Sequence, residues 1–194
     1  GDLPLKQQMH YDTCMSVIGE FDTSRRELGT EANIVRMGNQ GIRLYQSGNW
    51  FEAAGSFREA LKIAVKELGG EHPSTLVNMN NLAVTLDNLG CFSEAETLHR
   101  RTFEIRQKLL GERHRDTLES QSNLAASMNR LGLLHEAKTL HERTLEARKQ
   151  VLGMEHPDTL ASMNNLAATM DRLGHFKEAE QLHRQTLETR KRTL

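Results

Sequence analysis

The sequence is short of several residue types on which common classes of protein depend. It has two cysteines, Cys14 and Cys91, and their spacing fits neither a metal site nor a disulfide framework. This scarcity favours a reducing, intracellular compartment, and we expect a cytoplasmic protein. No apolar run approaches the roughly 20 residues of a membrane-spanning helix, and the N-terminus lacks the pattern of a signal peptide. We therefore expect no membrane partner.

The chain also has little net charge and few aromatic side chains. The formal net charge is −1, and aromatic residues make up 5% of the chain. A nearly neutral chain has no bulk field to attract a polyanion, and few rings are present on which bases could stack. We therefore expect no nucleic-acid ligand. Apolar residues at 37% and charged residues at 26% are instead typical of a folded chain.

The most informative feature of the sequence is a motif that recurs every 42 residues. HPSTLVNMNNLAVTLDNLG begins at His72, and close copies begin at His114 and His156. A looser copy covers 39–69, where Asn39 and Gly41 hold the same register. Self-similarity at a fixed period of this length predicts a solenoid of stacked supersecondary units.

Each unit is predicted to contain two helices. In the second unit, apolar residues from Leu76 onward recur at the 3.6-residue period of a helix, and Gly90 follows as a helix stop. A second helix then begins, in which the small Ala95 allows close approach and Leu110 is expected to face the core. The expected helices are 31–46, 50–67, 73–89, 92–109, 115–131, 134–151, 157–173 and 176–193.

The predicted domain organisation follows from the repeat. Residues 1–30 match it poorly and are interpreted as a capping helix or a degenerate helix of a preceding unit. Because Leu194 matches residues that precede a linker glycine, the chain is interpreted as a fragment of a longer array. An uncapped last repeat would expose apolar surface around Phe176, Leu182 and Leu187, through which two copies could associate end to end. The repeats are expected over about 31–69, 70–111, 112–153 and 154–194.

The spacing Leu82-Ala83-x2-Leu86-x3-Gly90-x4-Ala95 resembles a tetratricopeptide repeat. The 42-residue period is similar to that of the kinesin light chain subclass, and HPDTL followed by NNLA also resembles nephrocystin-type and fungal NTPase-linked arrays. The resemblance implies an all-α, right-handed superhelix of about four repeats, in which first helices line a concave groove. Two departures are an arginine in place of the first-turn proline of the third copy, and the absence of the His-Pro opening from the first.

Nine histidines invite a metal hypothesis, but six of them are two repeat positions used three times. Equivalent atoms of neighbouring repeats lie about 8–10 Å apart, whereas the ligands of one zinc ion converge at ~2 Å. We therefore expect no metal site and assign capping and interhelical packing to these residues. The repeated histidines are His72, His114 and His156 before the first helices, and His99, His141 and His183 within the second helices.

No catalytic signature is present in the sequence. It contains no phosphate-binding glycine loop, no zinc-protease helix motif, no nucleophile elbow and no cysteine with a plausible base nearby. Paired acids such as Glu94 and Glu96 are expected on solvated helix surfaces, in ion pairs with nearby basic side chains. We therefore expect neither an enzyme nor a cofactor.

The candidate binding residues follow from an asparagine that recurs at one helix position in all four copies. Asparagine is a mediocre helix former, so propensity does not account for it. Its carboxamide offers two donors and an acceptor, which match the backbone of an extended peptide. The alternative is that it hydrogen-bonds between adjacent first helices and fixes their packing. Arginines on the same face would favour acidic ligand side chains. The full predicted set is Asn39, Asn80, Asn81, Val84, Asn88, Asn123, Ala126, Arg130, Asn164, Asn165, Ala168 and Arg172.

These observations predict a protein–protein interaction scaffold that binds an extended, partly acidic peptide in its groove. The resemblance implies one named form, a cargo adaptor like the kinesin light chain. The alternative is a sensor, autoinhibitory or oligomerisation array within a larger nucleotide-binding switch protein of the NB-ARC or NACHT type. A Walker-type loop upstream of the array would favour the switch protein, whereas heptads upstream would favour the adaptor.

Overall fold

The computed structural model describes residues 29–193, and within that range the chain forms eight α-helices and no strand. Each helix boundary inside the described range lies within two residues of the predicted one, and the eight helices predicted between residues 31 and 193 are confirmed. The capping or degenerate helix predicted over 1–30 lies outside the described residues, apart from 29 and 30, which belong to the first helix. The helices are α1 (29–46), α2 (Trp50–Glu67), α3 (Pro73–Asn88), α4 (Phe92–Leu110), α5 (Arg115–Arg130), α6 (Leu134–Leu152), α7 (Pro157–Arg172) and α8 (Phe176–Thr193).

The helices stack in chain order as an α-solenoid. From α2 to α8, each helix packs against the next one along the chain. In addition, α3 contacts α5 and α5 contacts α7, whereas the backbones of α4, α6 and α8 do not approach one another in this way. Because the first helices of adjacent repeats come closer together than the second helices do, the first helices line the inner, concave side of the array.

The core lies between the two helices of each repeat and also between successive repeats. Phe57, Leu82, Leu86 and Ala95 form one buried cluster that joins α2, α3 and α4. Ala95 and its counterparts in the next two repeats are fully buried, which confirms that a small residue is needed where the helices cross. The expectation for Leu110 is wrong, because this last residue of α4 is 44% exposed.

The histidines that precede the first helices act as N-caps. In each case Nδ1 accepts a hydrogen bond from the backbone N–H two residues later, which satisfies one of the free donors at a helix start. This geometry confirms the predicted capping role. The pairs are His72 with Ser74 at 3.2 Å, His114 with Asp116 at 3.2 Å and His156 with Asp158 at 3.1 Å.

Buried arginines join each repeat to the next. Nη1 of Arg106, on α4, donates to Oγ of Ser120 at 2.8 Å and to the carbonyl oxygen of Asp116 at 3.1 Å, both on α5. Arg148, on α6, makes the equivalent contacts with α7. Because a buried charge needs its donors satisfied, these bonds hold successive repeats in one relative position. That position sets which side chains meet in the groove.

Candidate functional site

The recurring asparagines follow the inner side of the array, but their surroundings differ. Asn39 is exposed, whereas Asn81, Asn123 and Asn165 are half-buried. Nδ2 of Asn123 donates to Oδ1 of Asn80 at 3.1 Å, which links α5 to α3. No described residue hydrogen-bonds the carboxamide of Asn81 or of Asn165. At Asn123 the carboxamide therefore packs adjacent first helices together. The carboxamides of Asn81 and Asn165 keep their donors and acceptor for other partners.

An apolar pocket of about 330 Å³ lies between α1 and α3. Its base is formed by the ring of Phe57, which reaches α1 because Gly41 has no side chain there. A Cβ atom at Gly41 would stand 2.6 Å from Cε1 of that ring, closer than any packing permits. Two of the predicted residues, Asn81 and Val84, are in the wall of this pocket. The complete lining is Ile42, Tyr45, Gln46, Phe57, Asn81, Val84 and Thr85.

A smaller, polar pocket of about 160 Å³ adjoins the apolar one, because Tyr45 and Val84 line both. It lies where α1, α3 and α5 meet on the inner side. Five residues of the predicted set come together in its wall, so the structure assembles this part of the set into one site. The complete lining is Tyr45, Val84, Asp87, Asn88, His99, Asn123, Ala126 and Arg130.

Asp87 is the centre of the polar pocket. Its Oδ2 atom accepts a hydrogen bond from Oγ of Ser127 at 2.8 Å and forms an ion pair with Nη1 of Arg130 at 2.8 Å. The same oxygen lies 3.4 Å from Nε2 of His99. Burial raises the pKa of Asp87, but the hydrogen bonds from His99 and Ser127 and the charges of Arg130 and His99 outweigh it, so the pKa lies below its usual value. The carboxylate is therefore ionised at neutral pH.

The two arginines of the predicted set span adjacent repeats. Arg130 pairs with Asp87 of the preceding repeat, and Nη1 of Arg172 donates to the carbonyl oxygen and Oδ1 of Asn129. Asn88 occupies the same repeat position and donates to the hydroxyl of Tyr45 at 2.7 Å. Because Arg130 is neutralised and Arg172 already has partners, these contacts do not favour an acidic ligand, and that preference stays a prediction.

The rest of the predicted set lies outside both pockets. These residues are Asn39, Asn80, Asn164, Asn165, Ala168 and Arg172. The pocket residues that sequence reasoning missed are Ile42, Tyr45, Gln46, Phe57, Thr85, Asp87 and His99. A signal was available for Tyr45 and Asp87, because they occupy one register 42 residues apart and precede the predicted polar position by one residue.

Neither a cluster of metal ligands nor a membrane-spanning helix occurs among the residues that the structure describes. Among residues 29–193, no three His, Cys, Asp or Glu side chains lie close enough to hold a metal ion. In the same range, no helix combines the length and apolar character needed to cross a membrane. What the arrangement can do chemically is hydrogen-bond and bury side chains of a ligand in the two adjoining pockets.

Comparison with known proteins gives a consistent result. A family model described as tetratricopeptide repeat matches residues 37–108 and 116–192. A Podosopora anserina protein, assigned as a kinesin light chain with nearly identical tetratricopeptide-like repeats, is 29% identical with a TM-score of 0.71, over 82% of this chain and 76% of that one. BtubC (BKLC) from P. vanneervenii is 25% identical with a TM-score of 0.75, over 82% of this chain and 64% of its own. No curated protein matches the sequence.

A more distant neighbour agrees in fold alone. A double mutant of MamA RS-1 is 10% identical, has a TM-score of 0.61 and covers 99% of this chain and 98% of its own. Together with the eight helices, these similarities establish an all-α superhelix of tetratricopeptide type. They support a repeat scaffold of the protein-interaction kind.

Proposed function

Since the chain belongs to the tetratricopeptide repeat family, we propose that its groove binds an extended segment of a protein partner. The observation that carries this proposal is the pair of adjoining pockets on the inner side, which share Tyr45 and Val84. An apolar pocket beside a polar one fits two side chains of one ligand. Pockets of this composition, mostly apolar with a few placed polar groups, are typical of ligand-binding sites.

The asparagine positions supply contacts to the ligand backbone. The carboxamide of Asn81 lies in the wall of the apolar pocket and is free of hydrogen bonds to the described residues. Its two donors and one acceptor match the C=O and N–H groups of an extended chain. Repeats about 8–10 Å apart would meet a strand rising ~3.3 Å per residue once in every three residues. Asparagines whose carboxamides are free, such as Asn81 and Asn165, can therefore hold the backbone without selecting a sequence.

The partner proposed is a protein, and the mode of action is binding without chemistry. Folds of this family are typically interaction scaffolds, and two of the similar structures are kinesin-light-chain-like. A cargo-adaptor role of that kind is accordingly part of the proposal. The alternative role within a nucleotide-driven switch protein stays a prediction, because no described contact distinguishes it from the adaptor.

Self-association is a separate proposal, and it rests on the last repeat. Phe176 and Leu187 are 67% and 53% exposed, as predicted for this region, while Leu182 is half-buried against α7. Exposed apolar side chains on one helix are a potential contact surface. Analytical ultracentrifugation across a range of protein concentrations measures whether two copies associate, and Phe176→Glu should abolish that association.

The groove proposal is tested by blocking the wall that both pockets share. Val84→Arg places a long, charged side chain at that wall, and we expect it to weaken binding of extended peptides at least about tenfold. The matched control is Val151→Arg, at an exposed position on a second helix. Binding is measured by fluorescence anisotropy with a panel of labelled peptides, and folding by thermal melting. Equal peptide affinities for the two variants would place the binding surface elsewhere.

A further inference from the structure

A pocket of about 280 Å³ lies between the second helices α4 and α6, on the side of the array that faces away from the groove. Its walls include the apolar side chains of Phe103 and Leu118, and Arg113, Gln121 and Arg143 also line it. None of the predicted binding residues belongs to this convex pocket. It is therefore a feature separate from the groove.

Gln121 is a buried polar side chain without a partner in the wall of the convex pocket. It is 5% exposed, and no described residue hydrogen-bonds its carboxamide. Among the described residues, the side-chain atoms that lack a partner and are closed to water do not include its oxygen or nitrogen. Buried polar groups in native proteins are nearly always hydrogen-bonded. The carboxamide is therefore open to a group that enters the pocket.

Two arginines at the same pocket also lack partners. Arg113, in the loop before α5, and Arg143, on α6, are both exposed. Neither guanidinium is hydrogen-bonded to or ion-paired with a described residue. Guanidinium groups form their strongest hydrogen bonds with carboxylates and phosphates. The pocket thus combines two unpaired cations with an unpaired carboxamide.

The unpaired cation at Arg113 is a departure from the repeat. The second and fourth repeats have Glu71 and Glu155 at this position. Each of those glutamates pairs with a basic residue at the end of the following second helix, at 2.9 Å and 2.6 Å. The third repeat has Gln150 at that helix position. An ion pair between loop and helix is therefore replaced in this repeat by a free arginine.

Two further departures meet in the same pocket. Where the third repeat has Gln121, the second and fourth have Met79 and Met163, each 1% exposed. A polar group in place of a buried methionine costs stability unless it is hydrogen-bonded. Ala147, on α6, is smaller than the isoleucine and the threonine at the equivalent positions of α4 and α8, and it leaves room for the pocket. Changes in charge, polarity and size that converge on one pocket favour a binding role.

The charges around the pocket limit what it can bind. Glu112 and Glu146 also line it, and each already accepts a hydrogen bond from a nearby glutamine, at 3.0 Å and 3.1 Å. The unused capacity belongs to the arginines, so the pocket suits an anion. Because the two glutamates repel negative charge, a singly charged carboxylate is favoured over a phosphate, which carries nearly two charges.

We propose that the convex pocket binds a glutamate side chain of a protein partner, at a surface that does not depend on the groove. The carboxylate accepts hydrogen bonds from Nε2 of Gln121 and from the unpaired guanidiniums beside it, while its methylene groups pack against Phe103. The volume of about 280 Å³ is below the range of about 300–1,000 Å³ that is typical of small-molecule pockets. It fits one side chain of a larger partner.

The test uses acetylated and amidated Gly-Ser-X-Ser-Gly peptides in which X is Glu, Gln or phosphoserine. Gln has the shape of Glu without its charge, and phosphoserine adds a second charge. Binding to the whole chain is followed by NMR, because the side-chain N–H signals of Gln121, Arg113 and Arg143 report contact at this pocket. The Glu peptide should shift these signals saturably and bind at least about tenfold more tightly than the other two.

Two variants return the third repeat to the residues of its neighbours. Gln121→Met and Arg113→Glu are compatible with the fold, because the second and fourth repeats have methionine and glutamate at these positions. Each should weaken binding of the Glu peptide at least about tenfold, and Gln121→Met should melt no lower than the unaltered chain. The matched control is Arg101→Glu, the same change of charge at an exposed arginine of α4 outside the pocket. It should leave the affinity unchanged.

Several outcomes would overturn the site. Equal affinities of the Glu and Gln peptides would exclude recognition of charge, and tighter binding of the phosphoserine peptide would assign the pocket to phosphate. Shifts confined to residues of the inner side, such as Asn81, would support the groove and exclude the convex pocket. A lower melting temperature of Gln121→Met would give that glutamine a structural role. An equal loss of affinity in Arg101→Glu would show a general effect of charge.

Discussion

The second and fourth repeats place the same two residue types in different surroundings. In the second, Nε2 of His99 lies 3.4 Å from Oδ2 of Asp87, and the two side chains are 0% and 5% exposed. In the fourth, Nε2 of His183 lies 3.5 Å from Oδ2 of Asp171, but the side chains are 47% and 45% exposed. The contact is thus a property of one repeat, whereas its burial is provided by the next repeat along the array.

This difference shows how equivalent positions of a repeated sequence come to contribute unequally to the free energy of unfolding. The following helix α5 covers the pair in the second repeat and adds Ser127 and Arg130 to it. Away from water, hydrogen bonds strengthen and unpaired polar groups become costly. The same substitution in the two repeats should therefore have different consequences, and the predictions below test that expectation.

The largest effect is expected for the pH dependence of a buried histidine. Burial, together with the charge of Arg148, lowers the pKa of His141 from 6.5 to about 4. The histidine is neutral in the folded protein and protonates near its ordinary pKa when unfolded. The free energy of unfolding is therefore unaffected by this group above about pH 6.5. It decreases as the pH falls towards about 4, by up to about 3 kcal/mol, because the unfolded chain then binds a proton that the folded chain does not. Urea unfolding across that range measures the loss.

The comparison for this prediction is His183, which is exposed. His141→Leu should flatten the dependence of the unfolding free energy on pH, whereas His183→Leu should leave it nearly as in the unaltered chain. An unchanged pH dependence in His141→Leu would show that other groups are responsible.

The next largest effect is the loss of stability on replacing the aspartates of the two His–Asp pairs, Asp87 and Asp171. Asp87→Ala removes the acceptor of Ser127 and Arg130 and leaves the buried hydroxyl of Ser127 without that partner, which should destabilise the chain by about 1–3 kcal/mol. Asp171→Ala, at the exposed position, should change the unfolding free energy by less than about 0.5 kcal/mol. Urea denaturation of both variants at neutral pH measures the difference. Equal losses would mean that burial by the next repeat is unimportant.

A smaller effect separates the two roles of the recurring asparagine. Asn123→Ala removes the 3.1 Å bond to Asn80, and we expect it to destabilise the chain by about 0.5–1.5 kcal/mol, partly offset by the better helix propensity of alanine. Asn81→Ala removes no such bond, so it should retain stability while peptide affinity falls about 2- to 10-fold. Thermal melting and peptide binding are measured on both. If Asn81→Ala melts lower and binds normally, its role is structural.

The smallest expected effect is that of zinc. Each repeat has one of these histidines before its first helix and one within its second, and no three His, Cys, Asp or Glu side chains of the described residues lie close enough to bind one ion. We expect the melting temperature to be the same with and without added zinc. A zinc-dependent rise with sub-micromolar affinity would contradict this. Its loss in His183→Leu but not in His141→Leu would locate the site at the exposed His–Asp pair.

Much of the fold could be predicted because its signals are local. The helix stop at Gly90, where φ is +78°, the histidine caps and the small Ala95 all act within one repeat, and all were recognised from the 42-residue period. The position of Leu110 was predicted wrongly because periodicity does not reveal that this helix end extends beyond the packed interface, where it is 44% exposed.

The candidate site was predicted only in part, for a related reason. Asn81 and Asn123 were identified from their shared repeat position and Val84 as their neighbour on the same helix face, and each lines a pocket. Tyr45 and Asp87 were missed although they share one register, because the residue there changes from repeat to repeat and carries no common motif. The pairing of Arg130 with Asp87 was missed because it joins different repeats.

Between residues 29 and 193, the sequence by itself determined the helices, their boundaries, their caps and the face that each turns to its partner, since these depend on propensity and periodicity within about 20 residues. Only the tertiary structure decided which residues of adjacent repeats touch, because that depends on the rotation between repeats. The contact of Asn123 with Asn80 and the burial of Asp87 both follow from that rotation. The rotation is set by packing between helices, to which every residue of the interface contributes a little and no motif contributes alone.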